Sequence, residues 1–361
     1  MRTALVRVLV IALAVFCFGC SGNKTIAADV NSCEMTAHFI YVGQGDSTLL
    51  EFPCGAILID AGFQDGEKPD HLISYLKSFF DKRPDLNRTL ESVIITHGHE
   101  DHTSALKEVC DNFTVKRYVD NGNTGGDGPS WLKKIADANG IILRDVNNDE
   151  ITANGNKKGV TDGIIDPINC EGCDPKIVIL WSRPSELRGE YKTNLNEQSL
   201  VIRVDFGKAS FLFTGDAEKK ETYAMLNYYD GIVDEGEEPP AILDVNVYHV
   251  GHHGSQNGTT LELLKAMTPT IAVISVGRSD YKKGSKTAWS YGLPRIETLK
   301  LLNDSNNIRE TRSPSVTIEA AEGKEKFVPY TLTQRIYTTA KDGDIKIQAE
   351  WDGSFTVTGN N

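Results

Sequence analysis

The sequence predicts an α/β fold with two sheets, and three observations carry that prediction. Strand-like runs dominate residues 35–61 and 199–277, helical stretches with one apolar face separate several of the others, and Gly, Asn, Asp and Pro clusters punctuate the joins. With 361 residues the chain can bury a sizeable core, as one large domain or two ordinary ones. Its 40% hydrophobic and 24% charged residues exclude a disordered or collagen-like chain. The formal charge of −12 does not favour a broad polyanion-binding face, because non-specific nucleic-acid affinity comes mainly from Lys and Arg displacing counterions. Any nucleic-acid contact is expected to be local or metal-assisted.

The N-terminus reads as an export signal. The apolar run Val8–Gly19 follows Arg2 and Arg7 and is too short to span a bilayer, so residues 1–19 are taken as a signal peptide. Phe18-Gly19-Cys20 resembles a lipobox, with Cys17 where Leu is usual, and makes Cys20 the candidate lipidation site. Cleavage near Ala27-Ala28 is the alternative. Either route leads out of the cytoplasm, to a cell-envelope lipoprotein held on the membrane by its lipid or to a periplasmic or extracellular protein. Residues 20–34 are read as a linker.

The folded part is expected to start at residue 35. Met35 to Ala61 reads as a β-meander turning at Gly45-Asp46 and Pro53-Cys54-Gly55, and Pro69 to Lys82 places Leu72, Ile73, Leu76, Phe79 and Phe80 on one helical face. Then follow a buried strand in "SVIITH", a helix in "SALKEVCDNF", a strand in "VKRYVD" and a helix around "WLKKIADA". Residues 145–196 are polar apart from "KIVILWS" and are expected to form loops and short strands at a rim. "SLVIRVDFGKASFLFTGD" reads as a hairpin, and "ILDVNVYHVGHHGS" and "TIAVISVG" supply more strands of a second sheet. Arg295 to Leu302 reads as a helix, 303–334 as a polar, irregular insertion, and 335–361 as closing strands joined at Asp342-Gly343 and Asp352-Gly353. Cys33 and Cys54 fall in one sheet region and Cys170 and Cys173 lie close together, so two bridges suit an oxidising compartment. Free thiols at 170 and 173 remain an alternative, and Cys110 is left over.

Six of the eight histidines form two groups, His97, His99, His102 and His249, His252, His253. In "THGHEDH" the three histidines and Asp101 follow an apolar strand, where one loop can turn several side chains toward one point. Imidazole suits zinc and other first-row divalent ions, and an added carboxylate allows a mixed site or two neighbouring ions. Asp216 ends a strand after Thr214-Gly215, and Asp60 ends another in "LIDAG". Were "HHGS" extended, His252 and His253 would point to opposite sides, while His249 reads equally well as a structural histidine. No G-x-S-x-G motif or P-loop is present, so serine hydrolysis and ATP use have no support.

His97-Gly98-His99-Glu100-Asp101-His102 resembles the hallmark of the metallo-β-lactamase fold superfamily. "VGQGDS" at 42–47, Asp60, Asn196 to Ser199, Thr214-Gly215-Asp216, His252-His253-Gly254-Ser255 and "AVISVG" at 272–277 are similar, in order and spacing, to the metallo-hydrolase domain of the competence DNA-uptake channel. The resemblance implies a four-layer αββα sandwich of two mixed sheets flanked by helices, with a metallo-hydrolase domain over residues 35–302. It implies one or two divalent ions, zinc first and manganese second. His97 and His99 would hold one ion, Asp101 and His102 the other, and Asp216 would bridge them. His252 is expected as a further ligand, and Asp101, His252 and His253 as the residues nearest the chemistry, one histidine giving a proton to the leaving oxygen. Asp60 would orient the histidine loop from behind. Two departures weaken the expected metal site: Asn196 stands at a ligand position that many members fill with histidine, and Leu293 stands where this branch carries histidine in Tyr-Gly-His-Pro.

The implied activity is metal-dependent hydrolysis of a phosphodiester, either single-stranded DNA or a smaller ester, outside the cytoplasm. Amide or lactone hydrolysis by the same fold is the alternative enzyme reading, marked by a narrow apolar pocket in place of an open groove. A metal-weakened surface binding protein is the non-catalytic one. No protein partner follows from the sequence.

Overall fold

Successive side chains of a strand face opposite ways, and in this chain many strands are apolar on both faces. In Ala209–Phe213, Phe211 and Phe213 join one core and Leu212 another, and all are buried. Such a strand needs cover on both sides of its sheet, and that requirement builds the layers. The computed structural model describes residues 33–63, 70–123, 127–232, 238 and 240–359. The expected signal peptide, Cys20 and the linker up to residue 32 lie outside the described residues. Among the described residues no helix is long and apolar enough to cross a membrane.

The first sheet has eight strands, in the order Phe355–Gly359, Ile345–Glu350, Glu34–Phe39, Thr48–Phe52, Gly55–Ile59, Ser92–Ile94, Arg117–Asp120 and Ile142–Asp145. It is antiparallel as far as Gly55–Ile59 and parallel from there on. The second sheet has six, in the order Ile336–Thr338, Ile271–Ile274, Val247–His249, Ala209–Phe213, Val201–Phe206 and Lys176–Trp181, with the first four parallel. Phe39, Phe52 and Ile57 of the first sheet meet Phe206, Phe211 and Phe213 of the second in the inter-sheet core. Outside the first sheet, Leu72 and Leu76 of His71–Lys82 and Leu132 of Asp127–Asn139 pack on Leu49, Leu58 and Val93. Outside the second, Met225 of Lys219–Tyr228, Leu264 of Leu261–Met267 and Leu299 of Ile296–Leu302 pack on Leu212 and Tyr248. The result is the αββα sandwich that the resemblance implied.

Two disulfides, Cys33–Cys173 and Cys54–Cys170, tie the edge of the meander to the 170–173 loop, so Cys170 and Cys173 are not free thiols. Cys110 is the free cysteine among the described residues. The 145–196 stretch is less peripheral than expected: Ile165, Ile168, Cys170 and Cys173 are buried in the inter-sheet core.

One expectation is corrected. Residues 303–334 are not irregular, because Thr311–Gly323 and Lys326–Gln334 pair as a long antiparallel hairpin. Ile318, Ala320, Leu332 and Gln334 of one face are buried, with Ala321 buried at the irregularity beside the tip, and the polar residues on the other face hid the alternation. The strands on either side of Asp342-Gly343 do not pair with each other, since Ile336–Thr338 belongs to the second sheet and Ile345–Glu350 to the first, with the short helix Thr339–Asp342 crossing between them.

Candidate metal centre

The chemistry-bearing loops follow the C-terminal ends of neighbouring parallel strands, the end at which open α/β sheets present their ligands. Asp60 follows Gly55–Ile59, the His97–His102 loop follows Ser92–Ile94, Asp216 follows Ala209–Phe213, and His252 and His253 follow Val247–His249. Because the strands run alongside one another, four loops distant in sequence end at one place.

Two donor groups meet there, each with ligand atoms within 4.8 Å of one another: His97, His99 and Asp216 in one, Asp101, His102, Asp216 and His253 in the other. Asp216 belongs to both, and its two oxygens divide between them. Oδ2 lies 3.8 Å from His97 Nε2, whereas Oδ1 lies 3.3 Å from His102 Nε2 and 3.6 Å from His253 Nε2. His97 Nε2 is 3.0 Å from His99 Nδ1, and His253 Nε2 is 3.4 Å from Asp101 Oδ2. His102 Nε2, His253 Nε2 and Asp216 Oδ1 are buried without a hydrogen-bond partner. Three such atoms converging would be costly unless a cation shared them, so the residues present fit divalent ions.

His252 and His253 take different places at the centre. The compact group contains His253, while His252 lies outside both groups, partly exposed, with Nε2 at 3.8 Å from Asp216 Oδ2. "HHGS" is not extended: His252 and His253 have φ of 52° and 50° in a tight turn over Gly251–Gly254, so their rings do not alternate as on a strand. Two successive left-handed non-glycine residues cost about 1–2 kcal/mol each. Asn196 also lies outside both groups, with Nδ2 at 3.3 Å from His252 Nε2. The second group reaches four donors through His253 with none from position 293, where Leu293 lines the cavity wall.

A buried polar layer backs the donors. Asp60 accepts from the Thr96 N–H and hydroxyl, both at 2.8 Å, and its Oδ2 lies 2.7 Å from His102 Nδ1, which fixes the ring so that Nε2 faces Asp216. Gly62 passes so close beneath the ligand loop that a Cβ there would sit 1.9 Å from the Asp101 carbonyl oxygen. The Asp46 N–H donates to that same carbonyl at 2.8 Å. His249 is a structural histidine: it is buried, with Nε2 at 2.9 Å from Ser275 Oγ and 3.4 Å from Asp46 Oδ2.

Sequence reasoning missed Glu218. Its Oε1 accepts from Asn196 Nδ2 at 2.9 Å and lies 3.5 Å from His252 Nδ1, and its Oε2 accepts from Asn194 Nδ2 at 3.2 Å. The signal was its spacing: two residues beyond Asp216, with Glu218 itself extended, it sits beside the same site.

Burial holds His97 well below the ordinary imidazole range, reinforced by His102, which leaves it neutral and able to donate a lone pair. Burial would also lower His102, but the Asp216 and Asp60 carboxylates outweigh it and hold the ring well above that range. In His253 burial is again outweighed, by Asp216 and Asp101, and the value rises to about 9. Burial opposes ionisation of Asp216, yet His253, His102 and His252 around it keep the carboxyl well below the usual range. Asp46 is pushed up to about 6 by burial. The centre opens into a cavity of ≈ 550 Å³ whose walls include Glu100, Asn196, Lys286, Tyr291 and Leu293.

Residues 40–180 match the family model of the Metallo-beta-lactamase superfamily. ComE operon protein 3 of Bacillus subtilis is 25% identical over 301 residues, covering 78% of this chain and 32% of that protein. Competence protein ComA of Neisseria gonorrhoeae is 33% identical over 101 residues, 28% of this chain and 13% of that protein. The chain thus spans less than a third of the length of either relative. Among solved structures, the metallo-beta-lactamase fold protein YhfI of Bacillus subtilis has a TM-score of 0.39 at 11% identity, covering 66% of this chain and 85% of its own. By its sequence matches, the chain is similar to the metallo-β-lactamase superfamily over residues 40–180 and to competence proteins.

Proposed function

We propose that the protein is a metal-dependent phosphodiesterase that works outside the cytoplasm. The observation that carries the reading is the divided carboxylate of Asp216, one oxygen toward His97 and the other toward His102 and His253. Divalent ions held by the two groups would supply Lewis acidity, lowering the pKa of a water to near neutrality and neutralising phosphoryl oxygens. His97, His99 and Asp216 would hold one, and Asp101, His102, His253 and Asp216 the other. The mixed imidazole and carboxylate set suits zinc first and manganese second. His252, at the cavity edge, would give a proton to the leaving oxygen, with Glu218 3.5 Å from its Nδ1.

Similarity to ComE operon protein 3 over 78% of the chain supports a phosphodiester substrate, single-stranded DNA or a smaller ester. Two disulfides support an oxidising compartment, in line with the export signal and the candidate lipid anchor at Cys20.

Metal analysis of the purified protein, with turnover of bis(p-nitrophenyl) phosphate, single-stranded DNA and nitrocefin, tests this. The expected result is one or two ions per chain and phosphodiester turnover that falls at least about a hundredfold in Asp216→Ala, the scale on which loss of transition-state charge stabilisation acts. Turnover of nitrocefin alone, or a fully active Asp216→Ala protein, would overturn the reading.

A further inference from the structure

A second cavity, of ≈ 480 Å³, lies between the helix His71–Lys82 and the outer face of the first sheet, and it shares no wall residue with the metal cavity. Its floor is His38. Strand pairing sets His38 of Glu34–Phe39 directly opposite Lys346 of Ile345–Glu350, so both side chains stand on the face that the helix covers. The His38 ring is buried, with Nδ1 at 2.7 Å from the Tyr75 hydroxyl and Nε2 at 3.1 Å from Glu51 Oε2. Burial, with Lys346 nearby, holds that imidazole below its ordinary range against the pull of Glu51. Glu51 Oε1 accepts from Arg83 at 2.7 Å. Asp344 Oδ1 lies 2.9 Å from His71 Nε2 and accepts from the Tyr41 N–H at 2.8 Å. Both carboxylates of the wall are thus already met by donors.

Two lysines of the same wall are not met by a carboxylate. Lys346 is half-buried, with Nζ 6.0 Å from the centre of the Tyr75 ring, and among the described residues neither it nor Lys82 forms an ion pair. A half-buried ammonium group gives up hydration, and an uncompensated one is left short of stabilisation, the more conspicuously in a chain of formal charge −12. Ser74 and Ser78, one helical turn apart on the stripe that ends at Lys82, add two hydroxyls to the wall. The histidines and carboxylates here form no cluster able to hold a metal among the described residues, since the donor groups all lie around Asp60, Asp101 and Asp216. Ammonium and hydroxyl donors spread along one wall suit the several acceptor oxygens of a tetrahedral oxyanion better than a planar carboxylate. The cavity falls within the range of small-ligand sites and leaves room for an organic group on the anion.

We propose that this cavity binds a terminal phosphate group, free or as a monoester, through Lys346 and Lys82 with the Ser74 and Ser78 hydroxyls. The site is separate from the metal centre, and the proposal stands whether or not the protein hydrolyses phosphodiesters.

Isothermal titration of the full chain with inorganic phosphate and with glycerol 3-phosphate tests for a free ligand. Co-sedimentation with vesicles carrying phosphatidic acid, against vesicles carrying phosphatidylglycerol, tests for a lipid headgroup. Saturable binding of at least one probe is expected in the wild type and in Asp216→Ala, which removes the carboxylate shared by the metal donor groups. Lys346→Met and Lys82→Met should each weaken it about 10- to 100-fold, the scale of a hydrogen bond to a charged group, and Lys346→Arg should retain most of it. Lys82 is exposed at the end of its helix, so its variant reports on the site even if Lys346→Met fails to fold. Binding of phosphatidic acid vesicles alone, lost in Lys82→Met, would identify the source as a headgroup. Binding of none of the probes overturns the proposal, as does acetate binding as tightly as phosphate. Phosphate binding that disappears in Asp216→Ala and survives in both lysine variants would overturn it too, by assigning the anion to the metal centre.

Discussion

Glu218 and Gly62 show how single residues outside the donor set control the centre. Glu218 accepts from Asn196 and lies 3.5 Å from His252 Nδ1, close enough for its charge to bias the protonation and orientation of the ring. Glu218→Leu should lower kcat/KM about 10- to 100-fold, while Glu218→Gln, which keeps an acceptor for Asn196 and loses the charge, should recover only part of it; steady-state kinetics on a phosphodiester would show the difference. Gly62 acts through space alone. In Gly62→Ala the new methyl group must displace the backbone of Asp101 and His102, both of which come within 2.3 Å of the place a Cβ would occupy. The variant should bind fewer ions per chain by metal analysis and lose about 1–3 kcal/mol or more of stability in denaturant titration.

The two disulfides act on larger pieces. Cys54–Cys170 closes a loop with a sequence separation of 116 and Cys33–Cys173 one of 140, and together they pin the 170–173 segment to the meander. Such cross-links stabilise chiefly by restricting the unfolded chain. The Cys54→Ser, Cys170→Ser double variant should therefore lose about 2–5 kcal/mol in urea titration, with metal content per folded chain unchanged, since neither cysteine belongs to the donor groups. The 311–334 hairpin works in the opposite way. It contributes few side chains to the core, yet its tip donates hydrogen bonds to the carbonyls of Trp289 and Pro294, on either side of Tyr291 in the cavity wall.

For the molecule as a whole, stability should depend on pH through a buried carboxyl away from the metal donors. Burial, with Glu197 nearby, holds Glu221 well above the ordinary carboxyl range. Its Oε2 accepts from the Ser199 N–H at 3.2 Å. The folded state keeps a proton that the unfolded chain releases near the ordinary glutamate value. Its contribution is therefore complete below that value and is lost as pH rises through the raised folded value. Thermal midpoints of wild type should fall with rising pH more steeply than those of Glu221→Gln, which needs no proton; parallel profiles would rule out Glu221 as the cause.

The order of motifs was enough to identify the layers and most of the centre. Thr96–His102, Asp60, Asp216 and "HHGS" lie in short segments whose spacing is local, and the strands that deliver them alternate or run apolar in ways a single chain displays. Tertiary structure decided what depends on chain segments meeting. It turned His253 inward and left His252 at the cavity edge, because two left-handed residues replace an extended pair. It brought Glu218 to Asn196, paired the cysteines across more than a hundred residues, and folded a polar stretch into a hairpin whose one buried face finds its cover only in the second sheet's outer core. Local pattern specifies which way a strand's side chains alternate; only packing specifies what they meet.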